Sequence, residues 1–413
     1  MASTFKPDAV SLRAHLQKGF TIIELMVALA IGLIVTLAVM GMMVVSQTHE
    51  RVTTSSNDMS QGGAFTASIL DNSLRSAGAG FSQYWNLGAM GCRINAKRDG
   101  VQILPRTAAL PTPFANVMGG SAGITDLRLA PLLIGQGQSQ GGSDVLIAMA
   151  GLHNVGDVPR NVATYSGGQL YLTNTVSIHQ NDVVLVSRDG TKDCIMTQVD
   201  GGAKTPFADV AGQTFLPLGG ALFSDQSADG TVSLGTLTLN SGGKAILSGI
   251  GSVDSVRMQV FGVGSDSTLY SYDLLQSTGK DASEALMEGV VAMRATYSVN
   301  SNADDITKSP APTWQAPTGN YALDALIAQT PPTRMRSIVA VRVSLLLRST
   351  VRQNQMVASD SYTLLDGVAG STTVSISDAN RYYTHRVVET TIPLRSMMMR
   401  LLPAEEVQLS TSS

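Results

Sequence analysis

The first candidate for chemistry is the carboxylate of Glu24, which stands at the start of an uncharged stretch. From Leu25 to Val45 there is no charged side chain and no proline. This run has about the 20 apolar residues that a helix needs to cross the core of a bilayer. A carboxylate at its edge costs on the order of 2.5–3.5 kcal/mol to insert and therefore requires a partner. An ordinary signal anchor with a stray acid near the headgroups is the alternative interpretation.

Residue types found in catalytic sites occur here without the partners that catalysis needs. The segment 119–123 matches the Gly-x-Ser-x-Gly turn that presents a nucleophile, in this chain Ser121. Its flanks are a poor strand and a weak helix start, so the match is typical of chance in a chain rich in glycine and serine. His153, His179 and His385 are isolated, and none has the spacing of a metal pair or triad. We predict that the protein is not an enzyme and has no cofactor and no metal site.

Two loops contain acidic and amide side chains of the type that binds calcium. They lie at 224–230 and 301–305, and neither follows the ligand spacing of an EF-hand. Solvated turns are the favoured interpretation of both. Trp85, Tyr382 and Tyr383 are candidate interface anchors, although half-buried core aromatics are the simpler interpretation.

A short basic segment precedes the apolar stretch and sets its orientation. It contains Lys6, Arg13 and Lys18 against the single acid Asp8. Positive residues stay on the cytoplasmic side of a membrane, so we expect a cytoplasmic amino terminus and an exported body. A secretory signal peptide would be cut after its apolar segment, but the residues after Val45 fit such a site poorly.

The junction between the basic segment and the apolar helix resembles the class III signal of type IV pilins and pseudopilins. A basic leader ends at Gly19, Phe20 would begin the mature chain, and Glu24 would be its fifth residue. The order Glu-Leu-Met-Val-Ala-Leu-Ala-Ile-Gly-Leu from Glu24 is most similar to PilW-type minor pilins. Major pilins usually carry a proline near the position that Gly41 holds here. Weaker similarity extends along most of the chain.

The resemblance implies specific roles for these residues. A prepilin peptidase would cut between Gly19 and Phe20 and methylate the new amino group of Phe20. In an assembled filament, Glu24 would neutralise the amino terminus of a neighbouring subunit. The physical chemistry agrees, because residues four apart share one face of a helix. A buried charge without its partner costs several kcal/mol, so this pairing would select the register of assembly.

Composition indicates an exported, loop-rich globular body. The chain has 413 residues, 44% hydrophobic and only 14% charged, with a net charge of −3. Over three hundred residues follow the helix, enough for one large domain or two smaller ones. The acidic balance argues against direct nucleic-acid binding, which needs a basic surface.

The two cysteines, Cys92 and Cys194, both lie in the exported part. An oxidising compartment favours a disulfide between them. Two buried free thiols are the alternative. Neither belongs to a Cys-x-x-Cys pair, which argues against redox catalysis and zinc binding.

The apolar helix should continue beyond the membrane. Helical spacing of Phe65, Ile69 and Leu74 predicts an amphipathic half that ends near Ser76, and Gly78 is the expected stop. We expect the paired glycines at 62–63 to loosen this half. The predicted organisation is a leader (1–19), a membrane helix (20–45), an amphipathic half (46–78) and an exported domain (79–413).

Strand patterns follow the helix. They cover 144–148, 182–187 paired with 194–199, a hairpin over 253–263 and 267–274, 290–297, 337–348 and 385–394. In the clearest of these strand patterns, 337–348, Val341, Val343 and Leu345 alternate onto one face, and the other face is mixed in polarity. Pro393 suits an edge strand, and 321–328 is a predicted short helix. The predicted fold class is α+β: a long helix packed on a large, mainly antiparallel β domain.

Together these observations predict a structural protein, a minor pilin that helps to prime or cap a type IV pilus. Its expected partners are other minor pilins, the major pilin, the prepilin peptidase and the inner-membrane assembly platform. Its role in adhesion, twitching motility and DNA uptake would be indirect. We expect a single pass through the inner membrane, a periplasmic body, and then a place on the cell surface. A J-like minor pseudopilin of a type II secretion system and a pilus-tip adhesin are the alternatives.

Overall fold

The computed structural model describes residues 19–82, 89–118, 124–151, 159–200, 215–239, 244–276, 281–300 and 311–398. The chain divides into two compact units, Met1–Thr54 and Ser55–Ser413. The predictions that concern the leader before Gly19, Trp85, the 119–123 motif, His153 and the loop at 301–305 lie outside the described residues.

The first element is helix α1, Ile22–Arg75. Its amino-terminal half is long and apolar enough to cross a membrane, by length and composition. Large apolar side chains from Phe20 to Val44 are exposed in the isolated chain, as those of a lipid-facing helix would be. The helix ends one residue before the predicted Ser76, and Gly78 and Gly80 follow it with positive φ.

The second half of α1, from Ser55 onward, packs on the β domain. Met59, Leu70 and Leu74 are buried in the main hydrophobic core. The helix continues without a break through Gly62 and Gly63, where the sequence predicted that it would be loosened. Their missing side chains instead allow close packing. A Cβ on Gly62 would lie 2.7 Å from Met287 Cε, and one on Gly63 would lie 2.6 Å from Leu347 Cδ1.

Nineteen strands, four short α-helices and two 3-10 helices, Gly319–Tyr321 and Asn380–Tyr382, follow α1 in the described residues. The strands are β1 Arg93–Arg98, β2 Val101–Leu104, β3 Leu132–Gly135, β4 Val145–Ala150, β5 Arg160–Ser166, β6 Gln169–Leu172, β7 Asp182–Arg188, β8 Asp193–Gln198, β9 Phe215–Pro217, β10 Ala245–Ser252, β11 Arg257–Val263, β12 Thr268–Asp273, β13 Glu284–Glu288, β14 Val290–Val299, β15 Thr313–Gln315, β16 Ile338–Arg348, β17 Ser361–Leu364, β18 Thr372–Ser375 and β19 His385–Pro393. The helices are α2 Leu234–Leu239, α3 Leu323–Ala328, α4 Thr333–Ser337 and α5 Arg395–Met398.

These strands form three main sheets and one hairpin. An eight-stranded sheet has the order β2-β1-β8-β7-β10-β5-β6-β9, and a five-stranded sheet has the order β13-β12-β11-β4-β3. A four-stranded sheet has the order β15-β14-β16-β19, which places β19 at an edge as its proline predicted. Every pairing between the named strands is antiparallel except that of β1 with β8. The predicted α+β class is confirmed.

The central strand β16 is buried on both faces for part of its length. Val341, Val343 and Leu345 point into the main core, as their alternation predicts. Leu346 lies on the face predicted to be mixed, yet it is fully buried. The β17–β18 hairpin covers it through Leu364 and Ile376. This cover comes from residues that follow β16 in the chain, so the pattern within the strand does not reveal it.

The eight-stranded sheet has a hydrophobic core of its own on one side. Val184, Val186, Ile195 and Leu247 belong to this core, and α2 contributes Leu237. The other side of the sheet, with Val183 and Met196, faces the main core. The two sides alternate along β7 and β8, which explains why both strands are continuously apolar.

Candidate functional site

The candidate site is the start of helix α1, where a polar side chain precedes the apolar stretch. Thr21 caps the helix: its carbonyl accepts a hydrogen bond from Leu25 N at 3.1 Å, and its Oγ1 accepts one from Glu24 N at 3.3 Å. The carboxylate of Glu24 in turn accepts hydrogen bonds from Thr21. Glu24 Oε2 accepts from Thr21 Oγ1 at 3.2 Å and from Thr21 N at 3.4 Å. This reciprocal arrangement is a capping box.

The predicted cleavage site lies immediately outside this cap. Gly19 and Phe20 precede Thr21 and are not helical. Phe20 is 83% exposed, and a Cβ on Gly19 would meet nothing within 4 Å. A protease needs a substrate backbone that is exposed and free of helical hydrogen bonds. The geometry therefore suits cleavage at the Gly19–Phe20 bond, with the helix beginning two residues later.

Sequence reasoning predicted Gly19, Phe20 and Glu24 as site residues but did not include Thr21. It also treated Glu24 as a carboxylate without a partner in its own chain, and the structure corrects this. The signal was present as Thr-x-x-Glu directly before an apolar run, the sequence pattern of a capping box. Within its own chain, the Glu24 carboxylate is satisfied by the cap of its own helix.

The structure joins Cys92 to Cys194 as a disulfide, with Cα atoms 5.6 Å apart and a sequence separation of 102. The bond lies beside the parallel pair of β1 and β8. Next to it, Arg93 Nε and Nη2 donate to the two carboxylate oxygens of Asp193, at 2.5 and 3.0 Å. Asn95 Nδ2 also donates to Asp193, at 2.9 Å. Parallel pairs need long connections, and these cross-links hold the two distant segments together.

Asp229, one of the two acids in the loop at 224–230, is hydrogen-bonded to other side chains of the protein. Asp229 Oδ1 accepts from Ser227 Oγ at 2.6 Å and from Thr231 Oγ1 at 2.7 Å, and Arg93 donates to its other oxygen at 3.1 Å. The hydrogen bonds from Ser227 and Thr231 are the main reason that the pKa of Asp229 is far below its usual value. Within the residues that the structure describes, no group of three or more His, Cys, Asp or Glu side chains is arranged to hold a metal ion.

The two described histidine candidates lie on different sheets. His179 precedes β7 of the eight-stranded sheet, and its Nδ1 is 3.6 Å from Asp182. His385 begins β19 of the four-stranded sheet and stacks on Tyr362 with ring centroids 5.6 Å apart. Burial lowers the pKa of His385. The structure does not bring the two together into a site.

The two described anchor candidates, Tyr382 and Tyr383, each have an arginine guanidinium over the ring. The guanidinium of Arg352 lies 4.1 Å from the ring centroid of Tyr382, and that of Arg348 lies 4.7 Å from Tyr383. Both tyrosines are half-buried. Their cation–π contacts make this a basic and aromatic region of the surface.

Comparison with known families finds two matches, at opposite ends of the chain. Residues 256–396 match the family model described as type IV pilus-assembly protein W, or PilW, and residues 15–40 match the prokaryotic N-terminal methylation motif. The second match contains Gly19, Phe20, Thr21 and Glu24. No curated protein and no solved structure matches the chain.

The second half of α1, which lies between the two matched regions in the chain, contacts the 256–396 region. Thr66 Oγ1 lies 2.8 Å from Met287 Sδ, Ser73 Oγ donates to Gln259 Oε1 at 3.2 Å, and Arg386 Nη1 donates to Ser60 Oγ at 2.8 Å. All three partners of the helix belong to the 256–396 region. The second half of α1 is thus held by strands of the PilW-matched region.

Proposed function

We propose, from the premise that this chain is a PilW-type, prepilin-like protein of the type IV pilus, that it is a minor pilin which helps to prime or cap the pilus. The observation that carries the proposal is the start of α1. An exposed Gly19–Phe20 bond precedes a capped helix whose third residue is Glu24, at the edge of an uncharged stretch. The two family matches support the same assignment.

The proposed mechanism has a processing step and a pairing step. Prepilin peptidase cleaves between Gly19 and Phe20 on the cytoplasmic side and methylates the amino group of Phe20. Removal of the leader creates a cation one turn before Glu24. When a subunit enters the assembly, the Glu24 carboxylate pairs with the amino terminus of a neighbour. The ammonium is a stronger partner than the Thr21 hydroxyl, because it adds the attraction between opposite charges to the hydrogen bond, and this attraction is large where little water is present.

The rest of the chain provides the body that stands outside the membrane. The methylation motif and the apolar helix fit an inner-membrane-anchored pilin. We propose that residues 20–45 span the inner membrane once, with the body in the periplasm, where the Cys92–Cys194 bond forms. The partners would be other minor pilins, the major pilin and the assembly platform. The protein itself would catalyse no reaction and bind no nucleic acid directly.

Substitution of Glu24 tests the pairing step. Glu24→Ala should insert into the membrane normally but fail to enter the priming complex or the filament. Glu50→Ala is the matched control, because Glu50 is an exposed acid on the same helix beyond the apolar stretch. Membrane fractionation and cross-linking to other pilins would measure the two steps. Normal incorporation of Glu24→Ala would refute the pairing.

Substitution at the cleavage site tests the processing step. Gly19→Asp should leave the precursor intact, and Gly32→Ala should be processed normally because a Cβ there meets nothing within 4 Å. Intact mass of the purified protein distinguishes the two forms. A processed Gly19→Asp protein would show that the cut lies elsewhere.

A deletion strain separates the pilus role from the alternatives. Loss of surface pili with normal protein secretion supports a minor pilin. Loss of secreted enzymes with normal pili would instead identify a pseudopilin of a secretion system. Normal pili and secretion with loss of surface attachment would identify an adhesin.

A further inference from the structure

Two surface segments pair at one end of the four-stranded sheet. They are 348–358, which follows β16, and 378–386, which leads into β19. Gln353 N donates to Tyr382 O at 2.7 Å, and Val357 N donates to Arg381 O at 2.9 Å. We refer to Arg352, Met356, Val357, Arg381 and Tyr382 as the basic–aromatic patch.

The patch is positively charged although the chain as a whole is acidic. The two segments contain four arginines (348, 352, 381 and 386) and one acid, Asp378, while the chain carries a net charge of −3. The acid is 3.6 Å from Arg381, and its side chain is 83% exposed. Exposed ion pairs of this kind are weakened by solvent. Arg352 is exposed and lies over the ring of Tyr382.

The patch also exposes two neighbouring apolar side chains. Met356 is 45% exposed and Val357 is 41% exposed. Single exposed apolar residues are ordinary on a protein surface. An adjacent pair beside an exposed arginine and a half-buried tyrosine is typical of surfaces that meet lipid. Arginine binds phosphate, tyrosine prefers the headgroup region, and the apolar side chains enter the acyl boundary.

The patch lies at the end of the sheet where the chain enters from residue 54. Arg348 and His385 are paired at this end of β16 and β19. Arg386 contacts Ser60, an early residue of this part of α1, whereas Ser73 contacts β11 through Gln259. Nine residues, 46–54, connect Ser55 to the end of the apolar stretch. Even fully extended, they span at most about 30 Å, so the proposed anchoring of residues 20–45 would keep Ser55 within that distance of the bilayer.

We propose that the basic–aromatic patch binds anionic phospholipid headgroups of the bilayer in which residues 20–45 are anchored. The charge of the patch is complementary to such lipids, and the tether holds the patch within reach of them. This binding would hold the domain against the membrane before assembly. Extraction of the subunit from the membrane would break the contact between the patch and the lipids. The inference depends on the proposed membrane anchoring and not on the proposed role in pilus assembly.

The test places an environment-sensitive dye on the patch of the full chain in lipid nanodiscs. Because Cys92 and Cys194 are bonded, a single new cysteine in Met356→Cys can be labelled selectively. Val101→Cys provides the control position, since Val101 is also exposed but lies on β2 of another sheet. The nanodiscs contain either phosphatidylglycerol and phosphatidylcholine or phosphatidylcholine alone. No other pilus protein is present, so the result is independent of any failure in assembly.

The dye at position 356 should shift its emission to shorter wavelength in the anionic nanodiscs only, and the shift should fall with added salt. The dye at position 101 should not shift. Arg352→Gln in the Met356→Cys background should reduce the shift, whereas Arg257→Gln, an exposed arginine on β11, should not. An equal shift in both lipids, or no shift in either, would overturn the proposal. So would a shift that appears only when a second pilin subunit is added.

Discussion

The hydroxyl of Thr21 and the carboxylate of Glu24 are hydrogen-bonded across the first turn of α1, with Thr21 Oγ1 and Glu24 Oε2 3.2 Å apart. The same pair also joins the backbone N–H of each residue to the side chain of the other. The acid at the edge of the apolar stretch is therefore stabilised by its own helix. Assembly would need to exchange this neutral partner for the charged amino terminus of a neighbour.

Removal of the cap should loosen the start of α1. Thr21→Ala removes the hydroxyl that bonds both the backbone N–H and the carboxylate of Glu24. Loss of such a cap costs about 1 kcal/mol. Hydrogen exchange of the amides at residues 22–25 in detergent should become faster. Thr21→Ser keeps the hydroxyl and should behave like the original protein. Equal exchange in Thr21→Ala would show that the capping box does not hold the helix start.

Substitution of the paired glycines should separate close packing from flexibility. Gly63→Ala places a Cβ 2.6 Å from Leu347 Cδ1, in the buried core, and should destabilise the domain by about 1–3 kcal/mol. Gly62→Ala meets the end of Met287, a flexible side chain that can move, so its cost should be smaller. Chemical denaturation would measure both.

A stability gain in Gly63→Ala would contradict this interpretation and restore the view that these glycines only loosen the helix. Gly41→Ala provides the reference, because a Cβ there meets nothing within 4 Å. In that position alanine should leave the unfolding of the β domain unchanged.

Loss of the disulfide should destabilise the β domain. The bond closes a loop of 102 positions, and the chain-entropy model assigns such a loop about 4–5 kcal/mol. The double variant Cys92→Ala, Cys194→Ala should therefore unfold at a lower denaturant concentration. Reductant should lower the midpoint of the original protein and leave that of the variant unchanged. Equal midpoints of the two proteins without reductant would contradict the prediction.

Low pH should reduce the stability of the folded domain because His385 becomes protonated. Burial lowers its pKa, and the charge of Arg348 lowers it further, although the contact with the Tyr383 carbonyl opposes both. The unfolded chain then binds the proton more readily than the folded one. The stabilisation by neutral His385 is complete above about pH 6.5 and is lost as the pH falls from there toward the folded pKa.

The measurement is the melting temperature between pH 7.5 and 5.5. His385→Phe can keep the stacking on Tyr362 but has no titrating group, so its melting temperature should fall less with pH. The other titrating groups are common to both proteins, and the difference between the two slopes isolates His385. Identical slopes would show that His385 does not couple folding to pH.

The sequence alone determined the features that depend on neighbours along the chain. An uncharged run of this length predicts a helix that could cross a membrane, because only a helix satisfies its own backbone hydrogen bonds in lipid. Gly19, Phe20 and Glu24 could be predicted as site residues because the signal that they resemble is defined by the order of residue types along the chain. The strand at 338–348 was visible because alternation is a local property of β structure. With only two cysteines, the sequence also left one possible disulfide.

The tertiary structure decided what depends on contacts between distant residues. Gly62 and Gly63 are close-packing positions only because Met287 and Leu347 reach the helix from more than two hundred residues away. Leu346 is buried only because a later hairpin folds over it. The parallel pairing of β1 with β8 likewise joins segments one hundred positions apart. Periodicity reports which side chains share a face, whereas the partner of that face is set by the packing of the whole domain.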